Sequence, residues 1–178
     1  FNIPIVFTNH TQYEQYSHYI QNSQEFILHT IEWYIKGFSK RVDMIIAPAP
    51  GIVKVLTKYG VKTPIEIVHN GIDTKRFSKK IPESKINKLK EKYNIKGKDR
   101  VLIFTGRIAE EKNLTFLLES LKKLAGTTNN IKLLLVGGGM QIEHFQDLII
   151  KMDLSSNAII TDYVPYNEIP NYLALGNL

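Results

Sequence analysis

The sequence contains no cysteine. That excludes a disulfide framework, a thiolate zinc site and a cysteine nucleophile, and it makes a reducing, cytoplasmic setting the default. No apolar run approaches the roughly 18 residues that a membrane-spanning helix needs, and no basic-then-apolar signal peptide opens the chain. G-x-G-x-x-G is missing, and with it the dinucleotide fingerprint. There is no internal repeat and no low-complexity tract. Acidic residues are scarce in one place. Residues 75–100 hold 11 of the 23 Lys+Arg against Glu83, Glu91 and Asp99, a local charge of +8, while the rest has 12 basic and 14 acidic residues. Such a block suits anionic lipid or another phosphate surface, or simply a solvated helix face. No aromatic residues interleave usefully with these lysines, so no nucleic-acid partner is expected.

What is present is an ordinary globular balance: 178 residues, 43% hydrophobic and 22% charged, too apolar for a disordered tail. The length allows one full domain or parts of two. Short apolar runs alternate with helical periodicity. Ile3–Thr8, Met44–Ala47, Ile65–Val68, Val101–Phe104, Ile131–Val136 and Ile159–Ile160 read as strands. Helices are predicted over Gln24–Arg41, Gly51–Tyr59, Glu83–Tyr93, Leu114–Leu124, Ile142–Met152 and Pro165–Leu175. Gly60 sits where a left-handed helix cap belongs. This alternation predicts an α/β protein with open, doubly wound sheets. A boundary is expected near residues 70–75, where a loop leads into the basic block. Neither side then has strands enough for a complete sheet, so both ends look cut.

Several loops carry chemistry. Gly106-Arg107-Ile108-Ala109-Glu110-Glu111-Lys112-Asn113 follows a strand and precedes a helix, the position where doubly wound folds bind ligands. Two cations near a helix N-terminus suit a diphosphate, although the pattern alone suits an exposed surface loop equally well. Gly137-Gly138-Gly139 after a buried strand allows a ligand close to the backbone; by itself it is only a loop. Asn70-Gly71-Ile72-Asp73 reads equally as a turn. His10, at the end of the first strand, is placed to face a cleft, or is a histidine satisfied locally. His10, Glu14 and His18 share one face if their segment is helical, but the H-E-x-x-H order is lacking, and no metal is expected. Phe26, Trp33, Tyr34 and Phe38, with Lys36, Lys40 and Arg41, suit either core packing or an interfacial amphipathic helix.

In this order the motifs resemble the large retaining glycosyltransferase family 4, also called glycosyl transferases group 1. The resemblance runs over essentially the whole chain: Asn9-His10-Thr11, then I-x-H-N-G-I-D ending at Asp73, F-T-G-R-I-x-E-E-K-N, L-L-L-V-G-G-G, and D-Y-V-P-Y-N-E-I-P-N-Y. The segment His10–Ile20 is most similar to the diacylglycerol glucosyltransferase branch. The family's GT-B fold implies parts of two Rossmann-like domains, both incomplete. Residues 1–72 would be the C-terminal part of the acceptor-side domain, and residues 73–178 the first half of the donor domain. The resemblance implies transfer of a hexose, glucose, from UDP-glucose to a membrane lipid such as diacylglycerol. It needs no metal or other cofactor, and implies a peripheral protein on the inner, cytoplasmic face of an anionic membrane.

It also implies residue roles. Arg107 and Lys112 would hold the donor diphosphate, with Gly106 keeping the loop close. His10 would lie beside the transferred sugar. Tyr163, Val164 and Glu168 belong to the segment lining the nucleotide base. Asn70, Gly71 and Asp73 would lie where one domain hands over to the next. The family's first glycine-rich loop and its E-x7-E element have no counterpart here, so the 178-residue chain alone is expected to be inactive. Two alternatives stay open: a soluble or lipid-linked glycan as acceptor, and a non-catalytic nucleotide-sugar-binding module.

Overall fold

A computed structural model describes residues 3–11, 24–128 and 130–177. It divides into two compact units, Phe1–Ile72 and Asp73–Leu178. Each contains a three-stranded, wholly parallel sheet. The α/β alternation read from the sequence is present in both.

In the first unit the order is β1 (Val6–Thr8), α1 (Gln24–Ser39), β2 (Met44–Ala47), α2 (Pro50–Lys58) and β3 (Ile65–Ile67), with β2 central in the sheet. Met44-Ile45-Ile46-Ala47 is wholly apolar and lies between two strands; Met44 and Ile46 are half-buried on one face, while Ile45 and Ala47, on the other, are fully buried. They pack with Ile35 of α1 and with Ile52 and Leu56 of α2. Helix α2 begins on Pro50, whose missing N–H would be unpaired there anyway. It ends at Gly60, φ +75°, with Gly60 N–H donating to Thr57 and Val61 N–H to Leu56. That is the left-handed cap expected from the sequence.

Helix α1 buries a narrower stripe than its apolar content suggests. Ile35 is buried, and Phe38 meets Phe7 edge to face at 4.9 Å. Phe26 and Trp33 are 73% and 77% exposed. At about 100° per residue they lie roughly 160–180° around the helix from Ile35. Their aromatic character therefore belongs to the outer face, not to the core.

The second unit runs α3 (Thr74–Phe77), α4 (Glu83–Lys92), β4 (Arg100–Thr105), α5 (Leu114–Ala125), β5 (Ile131–Val136), α6 (Ile142–Lys151), β6 (Ala158–Ile160) and α7 (Ile169–Leu173). β5 is central, and its side chains divide by the two-residue period of a strand. Ile131, Leu133 and Leu135 meet Leu114, Leu118 and Leu121 of α5 and Phe145 and Ile149 of α6. Leu134 and Val136 face the other way, into Tyr93, Ile95, Val101, Val164, Tyr172 and Leu175. Burial on both faces is why this strand has only one polar residue.

On that second face the Tyr172 hydroxyl lies 3.3 Å from the Tyr93 hydroxyl. Tyr172 is 7% exposed; burial first, and then this partner, push its pKa up to about 12. In the unfolded chain the phenol ionises near its ordinary value of about 10. Stability from this group is therefore complete below about pH 10 and is lost as the pH climbs through about 12, by up to about 2–3 kcal/mol. Urea unfolding at pH 9 and pH 11.5 should show a steeper alkaline loss for the wild type than for Tyr172→Phe. Equal losses would show that the hydroxyl carries no such linkage.

Candidate functional site

In a parallel sheet all strands end on the same edge, and loops gathered there face one another. In the first unit this edge collects Asn9-His10-Thr11 after β1, Pro48 after β2 and His69-Asn70-Gly71 after β3. Asn9 is buried, its N–H donates to the Ile46 carbonyl, and its side-chain oxygen accepts from Thr11 N–H. The turn is thereby fixed, and His10 is left exposed on it. The His69 ring nitrogen Nδ1 pairs with the Pro48 carbonyl at 3.0 Å, which ties the third loop to the second. His10, Asn70 and Gly71 thus share one edge of one sheet. Glu14 and His18 lie outside the described residues, and among the described residues no cluster of metal-ligating side chains forms.

The second unit builds its edge from three loops: Gly106-Arg107 after β4, Gly137-Gly138-Gly139 after β5, and Asp162–Tyr166 after β6. The first two interlock. Gly106 N–H donates to the Val136 carbonyl and Ile108 N–H to the Gly138 carbonyl. A β-carbon on Gly137 would fall 1.9 Å from the Gly106 carbonyl oxygen, and one on Gly139 would fall 2.2 Å from that of Ile108. The glycine run therefore permits the close approach of the neighbouring loop, and all three glycines also line the cavity at this edge. The third loop is locked by Asp162, whose φ is +67° and which bridges to Gly137.

Between these loops lies a cavity of about 660 Å³, lined among others by Gly106, Arg107, Gly138, Tyr163, Val164 and Tyr166. Its lining is mostly apolar and aromatic, with one guanidinium. Arg107 is 67% exposed and lies 3.6 Å from the carboxylate of Glu111, four residues on. Of the residues expected to act together, Gly106, Arg107, Tyr163 and Val164 line this cavity. Lys112 and Glu168 do not. Lys112 ends a single 3-10 turn, Glu110–Lys112, and is exposed. Glu168 lines an adjoining groove, beside Lys85, Lys88 and Lys92 of α4, that shares Tyr163 and Val164 with the cavity, and its carboxylate accepts from the side chain of Asn171. Asp73 caps α3 by accepting from Arg76 N–H at 3.1 Å.

Two cavity residues, Asp162 and Tyr166, were not singled out from the sequence. Their signal was present: both fall in the loop that follows a short apolar strand, where the polar ends of a sheet collect.

Comparison with known proteins bears on the whole chain. Residues 1–76 match the family described as Glycosyltransferase Family 4, and residues 85–177 that described as Glycosyl transferases group 1. An alpha-monoglucosyldiacylglycerol synthase of Streptococcus pneumoniae is 26% identical over 171 residues, covering 96% of this chain and 39% of the relative. The Acholeplasma laidlawii enzyme of the same name is 25% identical, covering 99% of this chain and 46% of the relative. The chain thus spans less than half the length of these relatives. Among solved structures, Anabaena HepE in complex with UDP-glucose superposes with a TM-score of 0.78 at 17% identity, covering 98% of this chain and 45% of that one. Sucrose-phosphate synthase of Thermosynechococcus elongatus gives a TM-score of 0.74 at 17% identity, over 99% of this chain and 44% of that one. The two parallel-sheet units accordingly have the α/β architecture of GT-B glycosyltransferases. The chain belongs to the glycosyl transferases group 1 family.

Proposed function

We propose that the protein transfers a hexose, glucose, from UDP-glucose to a membrane lipid of the diacylglycerol type. The observation that carries this reading is the cavity at the carboxyl edge of the second sheet, where Arg107 meets an aromatic and aliphatic wall formed by Tyr163, Val164 and Tyr166. A cation beside flat apolar surface is what a nucleoside diphosphate requires: charge for the phosphates and a face for the base. Residues 73–178 would then be the donor side and residues 1–72 the acceptor side, with Asn70, Gly71 and Asp73 at the passage between them. His10 would stand beside the transferred sugar. Lys112 would lend charge from the start of the following helix without touching the cavity wall. No metal is required in this reading, since the diphosphate charge is met by side chains. HepE, solved with UDP-glucose, lends support for the donor.

For the acceptor, support comes from the two synthases named for monoglucosyldiacylglycerol and from the outer face of α1. Phe26 and Trp33 expose large apolar area on one side of a helix, and such a side favours the water–lipid interface. The +8 block at residues 75–100 adds attraction to anionic lipid, about 1 kcal/mol per cation that reaches the surface. No described helix is long and apolar enough to cross a membrane. A peripheral place on the cytoplasmic face fits these features. The second reading, a soluble acceptor, draws on the 2-deoxystreptamine glucosyltransferase of Streptomyces kanamyceticus, 25% identical over 107 residues.

One experiment separates them. The full-length protein is given labelled UDP-glucose, with diacylglycerol vesicles in one arm and soluble glycan acceptors in the other. Label is expected in the lipid phase, more with anionic than with neutral vesicles. Label in the soluble product alone would move the acceptor to the second reading. Donor binding with no transfer to any acceptor would leave a binding module.

A further inference from the structure

Helix α3 lies outside the cavity, yet it carries the two side chains that pack on one of the cavity's walls. Its four residues, Thr74–Phe77, directly follow Asp73, and the Asp73 carboxylate holds the turn in two ways. It accepts from Arg76 N–H at 3.1 Å and lies 3.4 Å from the Arg76 guanidinium Nε. The guanidinium so placed stands 5.2 Å from the centroid of the Tyr166 ring. Phe77 meets the same ring edge to face, with centroids 5.6 Å apart and planes at 65°. Both distances fall within the ranges for cation–π and aromatic pairing.

Tyr166 needs such partners. It is 54% exposed on a loop after an edge strand, where a free side chain samples several rotamers. It also lines the cavity with Tyr163, Val164 and Ile169. Arg107 supplies the cation of the same cavity, so the chemistry divides: phosphate belongs with Arg107, and base and ribose with the aromatic wall.

We infer that Arg76 and Phe77 are positioning residues for the nucleoside end of the donor pocket, holding the Tyr166 ring as the wall against which that end packs. The inference rests on the nucleotide-sugar reading above. It has a consequence for the order of the chain. Asn70, Gly71 and Ile72 join the two units, and four residues past Ile72 the chain is fastened to the donor loop. The start of the second unit is thus anchored at the pocket it serves.

The test titrates the 178-residue chain with UDP and, separately, with inorganic pyrophosphate, following binding by NMR. Arg76→Gln and Phe77→Ala should each weaken UDP by about threefold to tenfold while leaving pyrophosphate within about twofold of the wild type. Arg107→Ala should weaken both ligands. Tyr166→Ala should reproduce the Phe77→Ala loss, and combining the two should add little, because one contact cannot be lost twice. Phe77→Tyr, which keeps the ring edge, should restore UDP binding. Arg76 is a partly exposed surface residue, so its variant keeps the test open if Phe77→Ala folds poorly. Equal weakening of UDP and pyrophosphate, no weakening of either, or additive losses with Tyr166→Ala would each overturn the positioning role while the donor reading stood. Should the 178-residue chain bind neither ligand, the same titration is made on the full-length protein, where absence of UDP binding would remove the donor reading, and this inference with it.

Discussion

Replacing Gly137 with alanine is expected to cost the second unit about 3 kcal/mol or more and to lower its melting temperature by more than about 10 °C. The new β-carbon would fall 1.9 Å from the Gly106 carbonyl oxygen and 2.9 Å from the Gly106 carbonyl carbon. These are backbone atoms, so no rotamer change can relieve the clash. The loop cannot retreat cheaply either, because Gly106 N–H to Val136 O and Ile108 N–H to Gly138 O bond the two loops together. Gly137 also adopts φ +148°, a conformation that side chains other than glycine rarely take. Gly138, one residue on, provides the control. Its β-carbon would meet Tyr163 at 3.4 Å, an ordinary contact, so Gly138→Ala should cost under about 1 kcal/mol. Thermal melts of the two variants beside the wild type decide the matter. Equal, small losses would mean that the loops are not interlocked in solution.

The glycine run shows what one sequence discloses and what it withholds. Its place after a strand was legible, because Ile131–Val136 is a near-continuous apolar run that the glycines stop; β5 has those ends. Met44–Ala47 was legible for the same reason, bounded by Asp43 and Pro48. What the glycines touch was not legible, since Gly106 lies 31 positions earlier and only tertiary pairing brings it near. The helix expected over Pro165–Leu175 is α-helical only over Ile169–Leu173. Pro165 opens a separate turn there, with Glu168 N–H donating back to its carbonyl. Helix α3 was missed altogether: four residues are too short to show a 3.6-residue period. The strand expected from Ile3 forms only from Val6, where its partner Met44 begins. At the site, Gly106 and Arg107 were legible because a glycine after a buried strand marks the ligand edge of such sheets. Lys112 and Glu168 join them through the family resemblance, Lys112 also as a second cation near a helix N-terminus. Lys112 stands at the end of a 3-10 turn and Glu168 is hydrogen-bonded to Asn171, and neither feature leaves a periodic mark in sequence.

Arg107→Ala carries the largest expected effect on binding: UDP affinity should fall by about tenfold to a hundredfold, with stability unchanged within about 0.5 kcal/mol. The fold should not register the loss because the side chain is 67% exposed and its ion pair with Glu111, at 3.6 Å, is of the weak surface kind. The binding should register it because the loop has few other donors to offer. At many strand ends backbone amides cradle phosphate, but here the amides of Gly106 and Ile108 on either side are already given to Val136 and Gly138. On this loop the charge for a phosphate is supplied by the guanidinium, the cationic side chain that lines the cavity. A charge-assisted hydrogen bond from it is worth about 1.5–3 kcal/mol. Arg107→Lys should recover only part of the loss, since an ammonium is a point charge without the planar two-donor fork that matches adjacent phosphate oxygens. Raising the salt concentration should narrow the gap between wild type and Arg107→Ala, as it screens the exposed charge. The assignment fails if Arg107→Ala binds UDP as tightly as the wild type does. The diphosphate would then have to be met by Lys112 from outside the cavity wall, and the Lys112→Ala variant should carry the loss instead.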